Sequence, residues 1–363
     1  LTIIVHHLAS DGISLRMLLD DTEAAYVNLS RGEILQLPPK QTSYGEWASR
    51  LEQYAASPAA HEERAYWLQP KRSASVPLPT DHDRGGNSLD AVRQVTVSLT
   101  AEDTRRLLQE VPSVYHTEVN DVLLTALLQV FARWTGQSSL LVNMEGHGRE
   151  DLFEGMDVSR TVGWFTSLYP VYLELEHAAS PGRLLKSVKE QLRAVPHRGI
   201  GYGILRYLSG DPEVESTMWS QPEADVIFNY LGQFDQLISG SEIFEMVELE
   251  QRLNGNRRHL LDVYGMVSAG ELRMVWEYSD NLHTRETIQR LAESFVTSLR
   301  ELIAHCLSNY YPNVDASGGI WFGPRVATRC NSTDRSGWPG AISLASGRPN
   351  VVCSGFTPST RIL

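Results

Sequence analysis

Residues 5–12 read Val-His-His-Leu-Ala-Ser-Asp-Gly, directly after the apolar run Leu1-Thr2-Ile3-Ile4-Val5. Such a run has the pattern of a strand buried on both faces. It delivers two imidazoles, His6 and His7, into a turn that also holds Asp11 and Gly12. Adjacent strand residues point to opposite faces, so only one of the two imidazoles can face a cavity. The other is expected to be structural, and Asp11 to orient the turn or pair with a basic residue. A metal site is a poor fit, because H-H-x-x-x-D supplies too few ligands.

Outward from this turn, Ile13 to Leu29 carries apolar residues at helical spacing, and helices are expected over 44–56 and 58–68. The stretch Pro70 to Asn87 is rich in Pro, Ser and Asp and reads as a linker between two units. Val95, Val97 and Leu99 then alternate with Thr96 and Ser98, a half-buried strand. Val119, Val122, Leu123, Ala126, Leu127, Val130, Phe131 and Trp134 form one helical face, with Thr117 as the expected N-cap and Gly136 as the stop. Leu140 to Met144 is an apolar strand. Leu168 to Leu175 is a strand carrying Pro170, which places it at an edge or a bulge. A helix over 181–195, a strand over 225–231, a hairpin around Ser268-Ala269-Gly270 and a final helix capped by Thr284 complete the series. From about residue 309 no periodicity survives. Residues 308–363 read as a disordered or non-native tail outside the fold.

Composition narrows the function. The chain has 363 residues and a net charge of −12, which disfavours wrapping nucleic acid or an anionic membrane surface. No apolar run is long enough to cross a bilayer. The three cysteines, Cys306, Cys330 and Cys353, form no C-x-x-C pair, and so sparse a count fits a reducing, cytoplasmic setting.

A second chemical stretch is Asn143-Met144-Glu145-Gly146-His147-Gly148-Arg149-Glu150. Here a strand runs into a Gly-x-Gly turn, and Glu145 at the strand end can aim its carboxylate into a cleft; the plainer alternative is a surface turn with solvated charges. Gly199-Ile200-Gly201-Tyr202-Gly203 looks like a phosphate loop, but it lacks the preceding strand, the Walker lysine and the dinucleotide spacing. No G-x-S-x-G elbow is present, which argues against a hydrolase serine.

Taken in order, "HHLASDG", "EVNDVLLTAL", "EGHGRE", "RTVGWFTSLYPV", "PHRGIGYG" and "FNYLGQF" resemble the condensation-domain superfamily of non-ribosomal peptide synthetases, and specifically its epimerisation domains, over residues 1 to about 307. The histidine motif is shared by condensation and epimerisation domains; "EGHGRE" and "FNYLGQF" are the discriminating strings. The resemblance implies an α/β fold of two chloramphenicol-acetyltransferase-like lobes with a tunnel between them. Residues 1–90 are then the C-terminal part of the first lobe, and 91–307 the second lobe. It implies His7 and Glu145 as catalytic groups facing the tunnel from different lobes. His6, Asp11, Gly12, Asn229 and Tyr230 are the supporting or substrate-binding positions. The implied substrate is an aminoacyl or peptidyl thioester on the phosphopantetheine of a carrier protein, with no cofactor or metal bound by the domain itself. The implied partners are that carrier and the neighbouring synthetase domains.

This chemistry suits the residues, because inverting an α-carbon without a cofactor takes two acid/base groups on opposite sides of it. Two departures stand out. Leu15 occupies a position where the family usually has tryptophan, and the chain begins five residues before the histidine pair, so the first lobe is expected to be incomplete. The competing readings are a condensation domain that forms the amide bond, and an inactive carrier-docking fragment.

Overall fold

A computed structural model describes residues 2–3, 5–39, 41–73, 75–83, 85–176, 179–233, 244–247, 255–310 and 351–354. Its strands are β1 (Thr2–Ile3), β2 (Val92–Ser98), β3 (Ser139–Gly146), β4 (Ser167–Glu174), β5 (Val226–Gln233), β6 (Phe244–Val247), β7 (Leu261–Ser268), β8 (Glu271–Ser279) and β9 (Val351–Ser354). Its helices are α1 (Gly12–Ser30), α2 (Tyr44–Ala55), α3 (Pro58–Trp67), α4 (Pro70–Ser73), α5 (Ala101–Gln109) and α6 (Val111–Tyr115). They continue with α7 (Val119–Thr135), α8 (Pro181–Arg193), α9 (Ile200–Tyr207), α10 (Pro212–Trp219) and α11 (Arg285–Tyr310).

The main sheet has six strands in the order β2-β8-β7-β5-β3-β4. Its centre is parallel (β3 with β5, β5 with β7), and antiparallel strands flank it on both sides. One face is apolar. Val142, Met144, Phe228, Val263, Met274 and Trp276 lie against Leu123, Leu127 and Phe131 of α7 and Phe295 and Leu299 of α11, all of them buried. The Phe131 and Trp276 rings stack 6.1 Å apart across this seam. At about 25 cal/mol per Å² of buried apolar surface, side chains of this size dominate the stability of the unit.

The local signals explain most boundaries. Pro170 sits in β4 at the sheet edge, where a missing N–H costs no ladder bond. Ala269 and Gly270, both with positive φ, make the two-residue turn between β7 and β8. Thr284 caps α11 by accepting from the Thr287 amide at 3.2 Å. The cap of α7 is shifted by one residue from the expected Thr117. Glu118 occupies it, because Asp121 reaches back to accept from the Glu118 amide at 2.7 Å, while Gly136 stops the helix at φ 72° as expected.

The stretch expected as a linker, Pro70–Asn87, is partly fixed in place. Arg72 is buried, donates to the Pro170 carbonyl at 2.8 Å and lies over the Tyr66 and Trp67 rings. Asp81 accepts from the Thr284 amide at 2.8 Å and so ties the stretch to the start of α11.

A smaller cluster joins the chain's beginning to its middle. Trp47 and Ala55 of α2 pack with Val158, Phe165, Ile200 and Ile204. The strand expected over Leu1–Val5 is described at Thr2–Ile3, where it joins β9 and β6 in a parallel three-stranded sheet. Val351–Ser354 belongs to the stretch expected as a tail; residues 311–350 and 355–363 lie outside the described residues.

Candidate active site

The histidine pair lies beyond the end of β1. His7 opens a short 3-10 turn, His7–Ala9, and His6 caps it by accepting from the Leu8 amide at 3.1 Å through Nδ1. His6 is exposed, whereas His7 is half-buried with its ring tilted against Trp164 at 5.3 Å. Strand alternation is not what separates the two imidazoles, because both lie beyond β1, one capping the 3-10 turn and one opening it. Gly12 begins α1, and a Cβ there would meet nothing within 4 Å, so the helix does not require glycine at this position.

Asp11 is the hub of the region. It caps α1 by accepting from the Ser14 amide at 2.8 Å and accepts from the Phe165 amide at 3.1 Å. Arg149 grips it with two nitrogens, at 2.5 and 3.1 Å, and also donates to Ser14 Oγ at 2.9 Å and to the Thr161 carbonyl at 3.0 Å. The guanidinium lies 4.1 Å from the Phe165 ring centre. Both charged side chains are almost wholly buried, at 6% and 3% exposure, so each depends on the other for its solvation. Burial alone would raise the Asp11 pKa, but hydrogen bonds from Arg149 and the Ser14 amide overcome it and hold the carboxyl below the usual carboxylate range. His7 lies four residues before Asp11, and Glu145 four residues before Arg149. One buried ion pair therefore anchors both segments that carry the candidate acid/base groups.

Glu145 lies near the end of β3, where the strand runs into the Gly146–Gly148 turn. Gly148 has φ 66°, and a Cβ there would meet the Phe165 carbonyl oxygen at 1.7 Å, so the turn cannot close on any other residue without moving. Solvent reaches the Glu145 side chain, yet protein surrounds it on most sides and hydration of its charge is poor. Burial of this kind, and secondarily the Asp262 carboxylate, push its pKa up to about 7. Asn229 Nδ2 donates to Glu145 Oε2 at 2.5 Å.

The two β5 candidates part company. Asn229 reaches Glu145, but successive strand residues alternate faces, and Tyr230 packs against the main core instead. Its hydroxyl is buried, which pushes its pKa up to about 12.

Sequence reading left Arg149 without a role and the basic partner of Asp11 unnamed. A pair 138 positions apart has no local periodicity to betray it. His259 and Asp262, which approach from β7 and the segment before it, were missed for the same reason. Among the described residues no group of His, Cys, Asp and Glu side chains is arranged to hold a metal ion. No helix there is long and apolar enough to cross a membrane.

The chain is 47% identical over 314 residues to a component of the linear gramicidin synthase of Brevibacillus parabrevis and 43% identical to surfactin synthase subunit 1 of Bacillus subtilis. It aligns over 85% of its length in both cases but spans only 4% and 9% of those proteins. Among solved structures it is similar to the epimerization domain from the third module of tyrocidine synthetase B. That match has a TM-score of 0.74 and 35% identity, covering 84% of this chain and 69% of that one. The first condensation domain of the calcium-dependent antibiotic synthetase shares the fold, with a TM-score of 0.59 at 19% identity, covering 83% of this chain and 63% of that one. The family model described as "Condensation domain" matches residues 1–311, and the chain belongs to the condensation-domain family of peptide synthetases.

Proposed function

We propose that this chain is an epimerisation domain that inverts the α-carbon of an aminoacyl or peptidyl thioester carried on the phosphopantetheine of a carrier protein. The observation that carries the reading is Glu145: a carboxyl at a strand end, oriented by Asn229, with a pKa pushed up to about 7. A carboxyl so poised exists in both protonation states at neutral pH and can give or take a proton. The likeness to a solved epimerization domain supports the same reading.

In the proposed reaction one of His7 and Glu145 removes the α-proton, and the C–H electron pair moves into the thioester carbonyl to form an enolate. The other group returns a proton to the opposite face, the carbonyl re-forms, and no atom is gained or lost. Asp11 and Arg149 do not touch the substrate in this scheme; they position the two segments.

The test loads a carrier protein with an α-deuterated L-aminoacyl thioester, adds the chain, and follows deuterium loss and the D:L ratio. The expected result is washout together with D-isomer, both reduced by at least about 100-fold in His7→Ala and Glu145→Gln, the scale of a lost acid/base group. Family membership alone also allows a condensation domain. Amide formation with a second loaded carrier, without washout, would select that reading and reject epimerisation.

A further inference from the structure

The face of the main sheet that carries Glu145 is polar and electronegative. The register places Asn143 opposite Ile227 on β5, Ile227 opposite Asp262 on β7, and Asp262 opposite Glu277 on β8. All these positions share the side of the sheet away from α7 and α11.

A continuous set of contacts runs across this face. Asn143, two residues before Glu145 on β3, meets His259 Nε2 at 2.8 Å. The His259 Nδ1 edge lies 3.8 Å from Asp262. Arg257 reaches Asp262 Oδ1 at 3.1 Å and also donates to the Leu260 and Glu277 carbonyls. Tyr264 donates to Glu277 at 3.1 Å. Asn143, Arg257, His259, Tyr264 and Glu277 are all buried. Among the described residues this face carries the carboxylates of Glu145, Asp262 and Glu277, the buried guanidinium of Arg257, and His259 and Tyr264, and the register adds Tyr172 and Glu174 of β4 and Glu271 and Arg273 of β8 to the same side. Catalysis as proposed above assigns no role to Asp262, His259 or Arg257.

We infer that Asp262, fixed by Arg257 and His259, is a positioning residue that acts on Glu145 through its charge and keeps Glu145 able to carry a proton at neutral pH. The inference rests on the epimerase reading for its catalytic meaning, but not for its physical content. A fixed negative charge on the same sheet face disfavours a second one, and the effect is strong where hydration is poor. The Asp262 carboxylate indeed contributes to the upward displacement of the Glu145 pKa, after burial. Removing it takes that charge away while the Arg257 guanidinium stays, so the net change at Glu145 favours the ionised carboxyl.

The test compares the chain with Asp262→Asn and Asp262→Glu. The carboxyl of Glu145 is titrated directly by carbon NMR on protein labelled at its glutamate carboxyls, with Glu145→Gln to assign the resonance. In parallel, α-deuterium washout is measured against pH on the carrier-bound thioester. Asp262→Asn is expected to lower the Glu145 midpoint by about one unit, cutting its protonated fraction at pH 7 roughly fivefold. In the direction where Glu145 gives the proton, the rate falls as pH rises through the Glu145 midpoint, and this limb should move down by the same amount. Asp262→Glu should restore both. An unmoved midpoint in Asp262→Asn that still folds, shown by an unchanged amide spectrum, overturns the inference. So does loss of rate with an unshifted profile, the signature of a merely structural role. A shifted midpoint in a chain whose wild type gives no washout would retain the inference and reject the epimerase reading.

Discussion

Asp11 and Arg149 illustrate how much a single pair of side chains can decide. Each charge is hidden from water and compensated mainly by the other, so removing one strands its partner. Asp11→Asn is expected to lower stability by about 3–5 kcal/mol, and Arg149→Met by a similar amount, read from urea midpoints. The penalty should be less than additive in the double variant, because the second substitution removes the stranded charge. The sign of the pH dependence follows from the depressed pKa of Asp11. A carboxyl whose folded pKa lies below its unfolded value of about 3.9 contributes stability above that value and loses it as pH falls through the folded pKa. The gap between wild type and Asp11→Asn should therefore be full at pH 6 and close progressively below about pH 4. A gap of constant size down to pH 2 would show that Asp11 acts through shape rather than charge.

The element scale is set by β3 and the turn that follows it. Gly148 lets the chain double back under Phe165, and the turn brings Arg149 onto Asp11. Gly148→Ala adds a Cβ at a positive φ and against a carbonyl oxygen, so the turn must open. We expect a loss of at least about 1–3 kcal/mol, and a loss of exchange larger than this fall in folded fraction explains, measured side by side. The helices over 119–135 and 285–310, the edge strand with Pro170 and the Ala269–Gly270 hairpin were legible in the sequence. Their signals are periodicity, proline and turn residues, all local. The α7 cap fell one residue from its expected place because Asp121 supplied a bond that no count of apolar positions contains. Asn229 and Tyr230 are neighbours in the motif, and strand alternation divides them.

Across the whole molecule, the sheet's two faces do different work. One is sealed by α7 and α11 and holds the unit together; the other carries Asn143, Glu145, Asn229, Asp262 and Glu277. The ordered motifs pointed to this family, and with it to the fold and to His7 and Glu145 as the groups worth testing. What the motifs could not show is how they meet. The strand order, the Asp11–Arg149 pair and the Arg257–His259–Asp262 set join residues far apart in the chain, and their partners are fixed only once the sheet exists.

The Asp11–Arg149 pair also bears on how such domains can be recombined. Residues 11 and 14 supply one half of the lock, and residues 149 and 161–165 the other. A crossover placed in the Pro70–Asn87 stretch, where composition invites it, cuts between the two halves and draws them from different parents. Chimeras made there should fold according to how well those few positions match, together with the Trp47–Phe165 cluster that the same crossover divides. Grafts that move both halves together should tolerate far greater divergence.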